Sequence, residues 1–312
     1  MNHQPDCLLC HATNLVTVGE NPDFSGKDVV RCRNCGFMFT HPIPTNEELA
    51  AVYQADYRNI RKESPDDGYR RFMAERAEAQ SRFIHEGIGE RDDWRNRLVM
   101  DIGCGAGLLL RKYESCGAQV VGFEPDLVMG GEARANLSGG AKVHVSLFQP
   151  ELLEGARADL ICMSHVLEHI GDPVEFLRGL KSVLHPKGAI FIEVPAETRG
   201  GVWEQCARSA CGLMHLVYFT PESMENAARL AGMKVLSIQC FGPNRWFNTV
   251  VHARCGLLWR RVLYYPLRAL EKLSLANCLV SKVFGNANSI AMLHYPNPRG
   301  TDLRCLLSPA DP

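Results

Sequence analysis

The fold is decided by one stretch, Val99-Met100-Asp101-Ile102-Gly103-Cys104-Gly105-Ala106-Gly107, in which an apolar strand runs into a glycine turn and then a helix. Glycines at such a turn let the backbone adopt positive φ and approach a ligand closely. The helix that follows points its free N–H groups at an anionic group. A nicotinamide cofactor would need the G-x-G-x-x-G spacing, but Leu108 stands where its third glycine would fall. Asp101 suits an ammonium group, so the turn favours a ligand with an amino-acid end.

Apolar strands alternate with helical segments on both sides of this turn. The predicted strands are Leu98–Ile102, Gln119–Phe123, Lys142–Val145, Leu160–Met163, Ala189–Val194, Val235–Phe241 and Ser289–Tyr295. Helices between them imply crossover connections, and therefore a mostly parallel sheet in an α/β fold. Asp172-Pro173 and Thr220-Pro221 mark the starts of two of these helices, because each pairs a capping residue with proline at the first helical position.

Further segments complete an ordered set of motifs. Glu124 ends the second strand, where a carboxylate can accept hydrogen bonds from both hydroxyls of a ribose. The segment from Ala158 to Ile170 spans the fourth strand and the turn after it, and Leu184 to Ala189 leads into the fifth. Together with the glycine turn, these segments resemble the motifs of the class I methyltransferases. The resemblance implies a Rossmann-like, seven-stranded, mostly parallel sheet with an antiparallel last strand, and S-adenosylmethionine as the cofactor.

The same resemblance implies a set of cofactor-binding residues. Asp101 and the glycine turn would line the methionine end, and Glu124 would bind the ribose. Residues after the third and fourth strands would flank the adenine and close the pocket, with packing as the alternative role for Phe148 and His165. The residues assigned to this site are Asp101, Gly103, Cys104, Gly105, Gly107, Glu124, Leu147, Phe148, Ser164 and His165.

Two cysteine pairs precede this domain. They are Cys7-x-x-Cys10 and Cys32-x-x-Cys35, separated by 21 residues. Four thiolates paired in this way form a closed tetrahedral site, which is typical of structural rather than catalytic Zn²⁺. So short a segment cannot fold on its own apolar area, so metal binding would provide its folding free energy. The sequence therefore predicts a small N-terminal zinc ribbon, with four free cysteines as the alternative.

The segment from Cys32 to Tyr57 resembles the N-terminal zinc module of a methyltransferase subgroup that includes sugar C-methyltransferases. In that subgroup the module and the helices after it close over the active site. Tyr53, Tyr57 and Tyr69 are therefore assigned to the substrate pocket, with aromatic packing as the alternative. The predicted organisation is a zinc-binding module at 1–44, a helical connector or lid at 45–94 and a methyltransferase domain at 95–312.

His215 is the candidate general base. Transfer from a sulfonium needs in-line alignment and, for most acceptors, removal of a proton, and an imidazole suits that task near neutral pH. The sugar C-methyltransferases carry a Glu-His pair in a segment like this one, whereas here Met214 precedes the histidine. We therefore expect O- or C-methylation of a small-molecule acceptor, a sugar or another hydroxylated metabolite. The alternative role for His215 is a hydrogen bond to a loop carbonyl.

Charge and composition argue against other classes of protein. With 34 basic and 35 acidic residues, no global field draws the chain to nucleic acid, and we expect no nucleic-acid partner. No apolar h-region follows Met1, and no uncharged run is long enough for a membrane span. Thirteen cysteines without a signal peptide fit reduced thiols and a cytoplasmic location.

One segment is strongly basic: between residues 245 and 285, seven basic residues stand against one acidic residue. It lies within a predicted helical insert at 243–286. Such a segment suits an amphipathic helix on anionic lipid at the inner face of the membrane, or a lid facing a phosphorylated acceptor. A helical hairpin packed on its own domain is the alternative. A non-catalytic adaptor that docks on membrane or partner through this insert is therefore the second functional hypothesis.

Overall fold

The computed structural model describes residues 6–45, 47–49, 51, 67–89, 93–197, 214–241 and 301–310. Its strands are β1 Leu15–Glu20, β2 Asp28–Cys32, β3 Met38–His41, β4 Leu98–Ile102, β5 Gln119–Phe123, β6 Lys142–His144, β7 Ala158–Ser164, β8 Leu184–Pro195, β9 Val217–Tyr218, β10 Met233–Phe241 and β11 Asp302–Pro309. Its helices are α1 Asp67–Ile88, α2 Leu108–Ser115, α3 Leu127–Asn136, α4 Pro173–Leu180 and α5 Pro221–Leu230.

Seven of these strands form the central sheet, in the order β10-β11-β8-β7-β4-β5-β6. The neighbouring strands from β8 to β6 are parallel, whereas β11 runs antiparallel to both β8 and β10. This topology confirms the predicted Rossmann-like α/β fold with one antiparallel strand. Crossover helices lie between the parallel strands, so the carboxyl ends of β4, β5, β7 and β8 meet at one edge of the sheet.

The position predicted for the antiparallel strand was wrong. The seventh strand is Asp302–Pro309, and the predicted segment 289–295 lies outside the described residues. A strand buried on both faces usually shows a continuous apolar run. Arg304 interrupts that run in β11, yet its side chain is only 1% exposed and forms an ion pair with the buried Glu193 on β8.

The core lies on both faces of the central sheet, because successive side chains of a strand point in opposite directions. On β8, Ile190 and Ile192 pack with α4 and α5, while Phe191 packs on the other face. There α1 covers the sheet through Phe83, whose ring centroid lies 6.0 Å from Phe191 and 5.6 Å from Phe241. This packing fixes α1 beside the carboxyl ends of the strands.

Helices α4 and α5 begin where the sequence predicts. The Asp172 side chain accepts a hydrogen bond from the N–H of Glu175 at 2.9 Å. The Thr220 hydroxyl accepts one from the N–H of Ser223 at 3.1 Å. Each cap satisfies one of the backbone donors that a helix leaves unpaired at its first turn.

The cysteine-containing segment forms a second, four-stranded sheet in the order β1-β2-β3-β9. Its fourth strand, β9, comes from the segment that follows His215, and Phe39 on β3 pairs with Val217. The N–H of Thr40 also donates to the carbonyl of Leu216 at 2.7 Å. The N-terminal module therefore shares a sheet with the segment that follows the candidate base.

Among the described residues, no helix combines the length and apolar composition needed to cross a bilayer. The predicted basic insert at 243–286, with its membrane-contact segment 245–285, lies outside the described residues.

Candidate functional site

The glycine turn after β4 depends on backbone conformations that favour glycine. Gly103, Gly105 and Gly107 have φ values of +74°, +52° and +73°. A Cβ at Gly103 would also lie 2.6 Å from Cγ2 of Val166, which belongs to the turn after β7. Glycine adopts these conformations without strain, and at Gly103 the absence of a side chain also leaves room for Val166.

Two buried carboxylates flank this turn. Asp101 is 4% exposed, and its Oδ1 atom has no hydrogen-bond partner within the part of the chain that the structure describes. Burial raises the pKa of Asp101 well above its usual value, and the charge of Glu124 raises it further. Glu124 accepts hydrogen bonds from the N–H groups of Gly105 at 2.8 Å and Asp126 at 2.9 Å. An ammonium group beside these acids would offset the cost of a buried negative charge, so the residues fit the amino-acid end of S-adenosylmethionine.

Apolar side chains lie at the same sheet edge, beyond Glu124. Phe148 packs edge-on against Phe123, with ring centroids 5.1 Å apart, and Leu147 is 72% exposed. Leu127 and Val128, at the start of α3, are also largely exposed. Exposed apolar side chains of this kind suit a planar, apolar ligand group such as adenine. No sequence pattern singled out Leu127 and Val128; their only signal is their position just after Glu124.

Helix α1 reaches over the carboxyl ends of β7 and β8. Gln80 donates a hydrogen bond to the Ser164 hydroxyl at 2.9 Å. Arg76 forms an ion pair with the buried Glu193 and lies 3.4 Å from a carboxylate oxygen of Asp302. Neither Arg76 nor Gln80 was among the residues that the sequence assigned to the site.

His165 follows β7 and has a left-handed backbone conformation, with φ of +56°. Its Nδ1 atom lies 3.1 Å from Oε1 of Glu168, and its Nε2 atom contacts Arg76 and lies 3.6 Å from Oδ1 of Asp302. Burial works to lower the pKa of His165, but the hydrogen bonds with Asp302 and Glu168 outweigh it and raise that pKa to about 9.

His215 lies next to the turn after β7 that carries Glu168. It is 6% exposed, and its Nε2 atom is 3.9 Å from Oε1 of Glu168. Its carbonyl accepts hydrogen bonds from the hydroxyls of Thr40 at 3.3 Å and Tyr218 at 3.4 Å. The structure therefore places His165 and His215 next to the same carboxylate, that of Glu168. The sequence had assigned His165 to the cofactor site and His215 to the role of general base. Met214 is buried, with φ of +52°, and its N–H donates to Asp23 at 2.8 Å.

The four N-terminal cysteines form one cluster, with all sulfurs within 4.8 Å of one another. Sγ of Cys7 lies 3.5 Å from that of Cys35, and Sγ of Cys10 lies 3.5 Å from that of Cys32. Tetrahedral Zn²⁺ with Zn–S bonds of about 2.3 Å requires sulfur–sulfur distances of about 3.8 Å. The donor set and its spacing therefore fit one Zn²⁺.

The side chains of the three tyrosines assigned to the substrate pocket lie outside the part of the chain that the structure describes. Tyr53 and Tyr57 lie outside the described residues. Tyr69 belongs to the first turn of α1, but its side chain is also outside them.

A protein-family model described as a methyltransferase domain matches residues 59–238, more than half of the chain. The chain belongs to this methyltransferase family. The match includes the glycine turn, Glu124 and His215, whereas the cysteine cluster precedes it.

Curated relatives cover a smaller part of the molecule. The "Ubiquinone biosynthesis O-methyltransferase" of Rhodopseudomonas palustris (strain TIE-1) is 27% identical over 125 residues, which are 39% of this chain and 48% of that one. The protein of the same name from Xanthomonas axonopodis pv. citri (strain 306) is 33% identical over 99 residues, 30% of this chain and 41% of that one. The chain thus spans about half the length of the curated relatives it matches.

A solved structure shows the same fold. The Burkholderia thailandensis 1,6-didemethyltoxoflavin-N1-methyltransferase, with bound 1,6-didemethyltoxoflavin and S-adenosylhomocysteine, aligns with a TM-score of 0.53 and 15% identity. The alignment covers 92% of this chain and 97% of that one.

Proposed function

We propose that this member of the methyltransferase family transfers a methyl group from S-adenosylmethionine to an oxygen of a small hydroxylated acceptor, with His215 as the general base. The observation that carries the proposal is the buried Asp101, whose Oδ1 atom has no partner among the described residues beside a turn of three positive-φ glycines. The relatives' name, ubiquinone biosynthesis O-methyltransferase, supports oxygen as the acceptor atom. A sugar hydroxyl would satisfy the same chemistry.

Each part of the cofactor has a proposed set of partners. Asp101 and the glycine turn hold the methionine end, Glu124 holds the ribose, and Leu147 and Phe148 hold the adenine. When bound, S-adenosylmethionine supplies a methyl group on a sulfonium that is already strongly electrophilic. The chain's own residues then have to align the acceptor with that methyl group, exclude water and remove one proton.

The N-terminal module contributes by fixing the base. We propose that Cys7, Cys10, Cys32 and Cys35 hold a structural Zn²⁺, as the cluster's sulfur distances support. Through β3 and β9, the module then fixes the backbone of the segment after His215, whose carbonyl also accepts from Thr40. Tyr53, Tyr57 and Tyr69 stay our candidates for the acceptor pocket.

Two measurements test this function. Isothermal titration of the zinc-loaded full chain with S-adenosylmethionine should give one binding site, and no binding at millimolar cofactor would overturn the proposal. Incubation with methyl-deuterated S-adenosylmethionine and a panel of phenols, catechols and sugars should then give a labelled product by mass spectrometry. His215→Gln should bind the cofactor normally but form product at least about 10²-fold more slowly.

The alternative of a non-catalytic adaptor rests on residues 245–285, which lie outside the described residues. A degenerate fold would have no reason to keep the buried Asp101 beside the glycine turn, since a buried carboxylate oxygen without a hydrogen-bond partner destabilises a protein. The retained Asp101 therefore favours a working cofactor site.

A further inference from the structure

A buried carboxylate lies at the centre of the three histidines next to the site. Glu168 belongs to the short 3₁₀ turn Leu167–His169 directly after β7, and the residue is 1% exposed. Both of its carboxylate oxygens are buried, and imidazoles of the described residues lie next to one of them. A buried charge in that state destabilises the fold unless positive charge lies close by.

Three imidazoles lie next to this carboxylate, and His165, whose pKa is raised to about 9, supplies positive charge. His165 Nδ1 lies 3.1 Å from Oε1 of Glu168, His215 Nε2 lies 3.9 Å from it, and His169 Nε2 lies 4.0 Å from it. Burial works to raise the pKa of Glu168, but the hydrogen bond and charge of His165 and the charges of the other two histidines lower that pKa to about 2. Glu168 therefore stays ionised throughout the neutral pH range.

All three histidines also contact groups other than Glu168, His215 through the rings of His169 and Tyr218. His165 also faces Asp302, and the Nδ1 atom of His169 donates to the carbonyl of Met214 at 3.0 Å. The His215 segment is joined to the turn itself, because the N–H of Leu216 donates to the carbonyl of Glu168 at 2.8 Å. The backbone thus holds the segment of His215 next to the turn that carries Glu168.

We propose that Glu168 is the positioning residue for His215: its carboxylate orients the imidazole and stabilises the imidazolium that forms when His215 accepts the acceptor's proton. The proposal rests on the proposed function of His215 as the base. It also accounts for Met214: the turn after β7 supplies the carboxylate that the Glu-His pair of the sugar C-methyltransferases carries at that position.

The proposed methyl transfer balances in protons and electrons. The acceptor hydroxyl loses its proton to His215 while its oxygen forms a bond to the methyl carbon, and the carbon–sulfur bond breaks with its electron pair left on sulfur. The proton is then held on the His215 imidazole. It then passes to solvent, which returns His215 to the neutral state.

Titratable and charged groups face this pair from several elements. They are His169 on the same turn, His165 at the end of β7, Arg76 on α1, Asp23 in the loop between β1 and β2, and Tyr218 on β9. Because Glu168 also raises the pKa of His165, the test that follows records the titration of His165 beside that of His215.

The test follows the titration of His215 by NMR in the zinc-loaded full chain labelled with ¹⁵N in its imidazoles, with His215→Gln to assign the resonance. In Glu168→Gln the midpoint of the His215 titration should fall by about one pH unit or more. Glu175→Gln is the matched control, because this carboxylate is exposed on α4 and pairs only with Arg178 among the described residues. An unchanged His215 midpoint in Glu168→Gln would overturn the proposal.

Two further measurements separate the alternatives. If Glu168→Gln does not fold, Glu168→Asp keeps the charge but withdraws it by one methylene; it should give a smaller fall in the midpoint, and no fall would count against the proposal. Mg²⁺ or Zn²⁺ added to the zinc-loaded chain should leave the His169 and His215 resonances in place. A stoichiometric shift that is lost in Glu168→Gln would make Glu168 a metal ligand and overturn its role as partner of the base.

The NMR readout needs no acceptor, so its failure is distinct from a failure of methyl transfer. Once an acceptor is known, Glu168→Gln should lower kcat by about 10²-fold with the KM for S-adenosylmethionine unchanged. In a His215→Gln background the same change should have no further effect on kcat. An equal loss in both backgrounds would show that Glu168 acts independently of His215.

Discussion

The substitution Glu124→Gln tests whether the hydrogen bonds of Glu124 hold the glycine turn in the conformation that binds the cofactor. In the wild type, one oxygen of Glu124 accepts from the N–H of Gly105 at 2.8 Å and the other accepts from the N–H of Asp126 at 2.9 Å. Glutamine has only one acceptor oxygen, so one of these N–H groups must face an NH₂ donor. Glu124 is 6% exposed, which limits replacement of the lost acceptor by water. A buried donor left unpaired costs about 1–3 kcal/mol.

Gly105 belongs to the turn that we propose holds the methionine end of the cofactor. In the variant the turn should relax so that water pairs the donor, and cofactor binding then has to restore the original conformation. We therefore expect the Kd for S-adenosylmethionine to rise about 5- to 150-fold, measured by isothermal titration. Loss of one of the carboxylate oxygens that we propose bind the ribose acts in the same direction. Glu154→Gln is the control: its side chain is 78% exposed and pairs with Lys142 at 3.5 Å, so its Kd should stay within about twofold. A folded Glu124→Gln protein that binds within about threefold of the wild type would refute this account of the turn.

Three other predictions address the turn, the module and pH. Gly103→Ala places a Cβ 2.6 Å from Cγ2 of Val166 at a φ of +74°, so the free energy of unfolding, measured with urea, should fall by about 1–3 kcal/mol. Gly139→Ala is the control, because its Cβ would meet nothing within 4 Å. Equal stability of the two variants would contradict the predicted strain in Gly103→Ala. Thiol modification should release about one Zn²⁺ per chain into a colorimetric chelator, and Cys32→Ser should retain far less; a metal-free, fully folded wild type would rule out the structural zinc. His165 has a pKa of about 9, raised from 6.5, so its contribution to stability is complete below pH 6.5 and is lost as the pH rises through 9. The free energy of unfolding should therefore fall more steeply over that range in the wild type than in His165→Gln, and equal slopes would show that the ion pairs of His165 contribute nothing.

The sequence predicted two neighbouring inner strands of the central sheet to the residue. Leu98–Ile102 and Gln119–Phe123 are β4 and β5, because short apolar runs bounded by polar residues and glycines leave little choice of strand limits. It failed at β11, where the buried Arg304 lies over the ring of Phe241 and pairs with Glu193. The sequence alone does not distinguish an arginine that is buried and ion-paired in the folded state from one that is exposed to solvent.

The candidate site shows the same limit. Asp101 and Glu124 could be proposed from the sequence because one lies in β4 and the other directly follows β5, each next to a recognisable turn. Arg76 and Gln80 could not, since their side chains reach the site only after α1 packs on the central sheet. Glu168 was not among the residues that the sequence assigned to the site, because nothing in the order of the chain shows that three imidazoles lie next to it.

The two-residue strand β9 has a consequence for biosynthesis. Met38 and Phe39 pair with Tyr218 and Val217, so the small N-terminal sheet keeps an open edge on the ribosome until most of the central strands have been made. An uncovered strand edge is a template for pairing with other chains. A nascent chain or fragment that ends before residue 216 should therefore be prone to self-association even with its cysteines metal-bound. The N-terminal sheet, which is synthesised first, is therefore completed only after the ribosome has made residues 217–218.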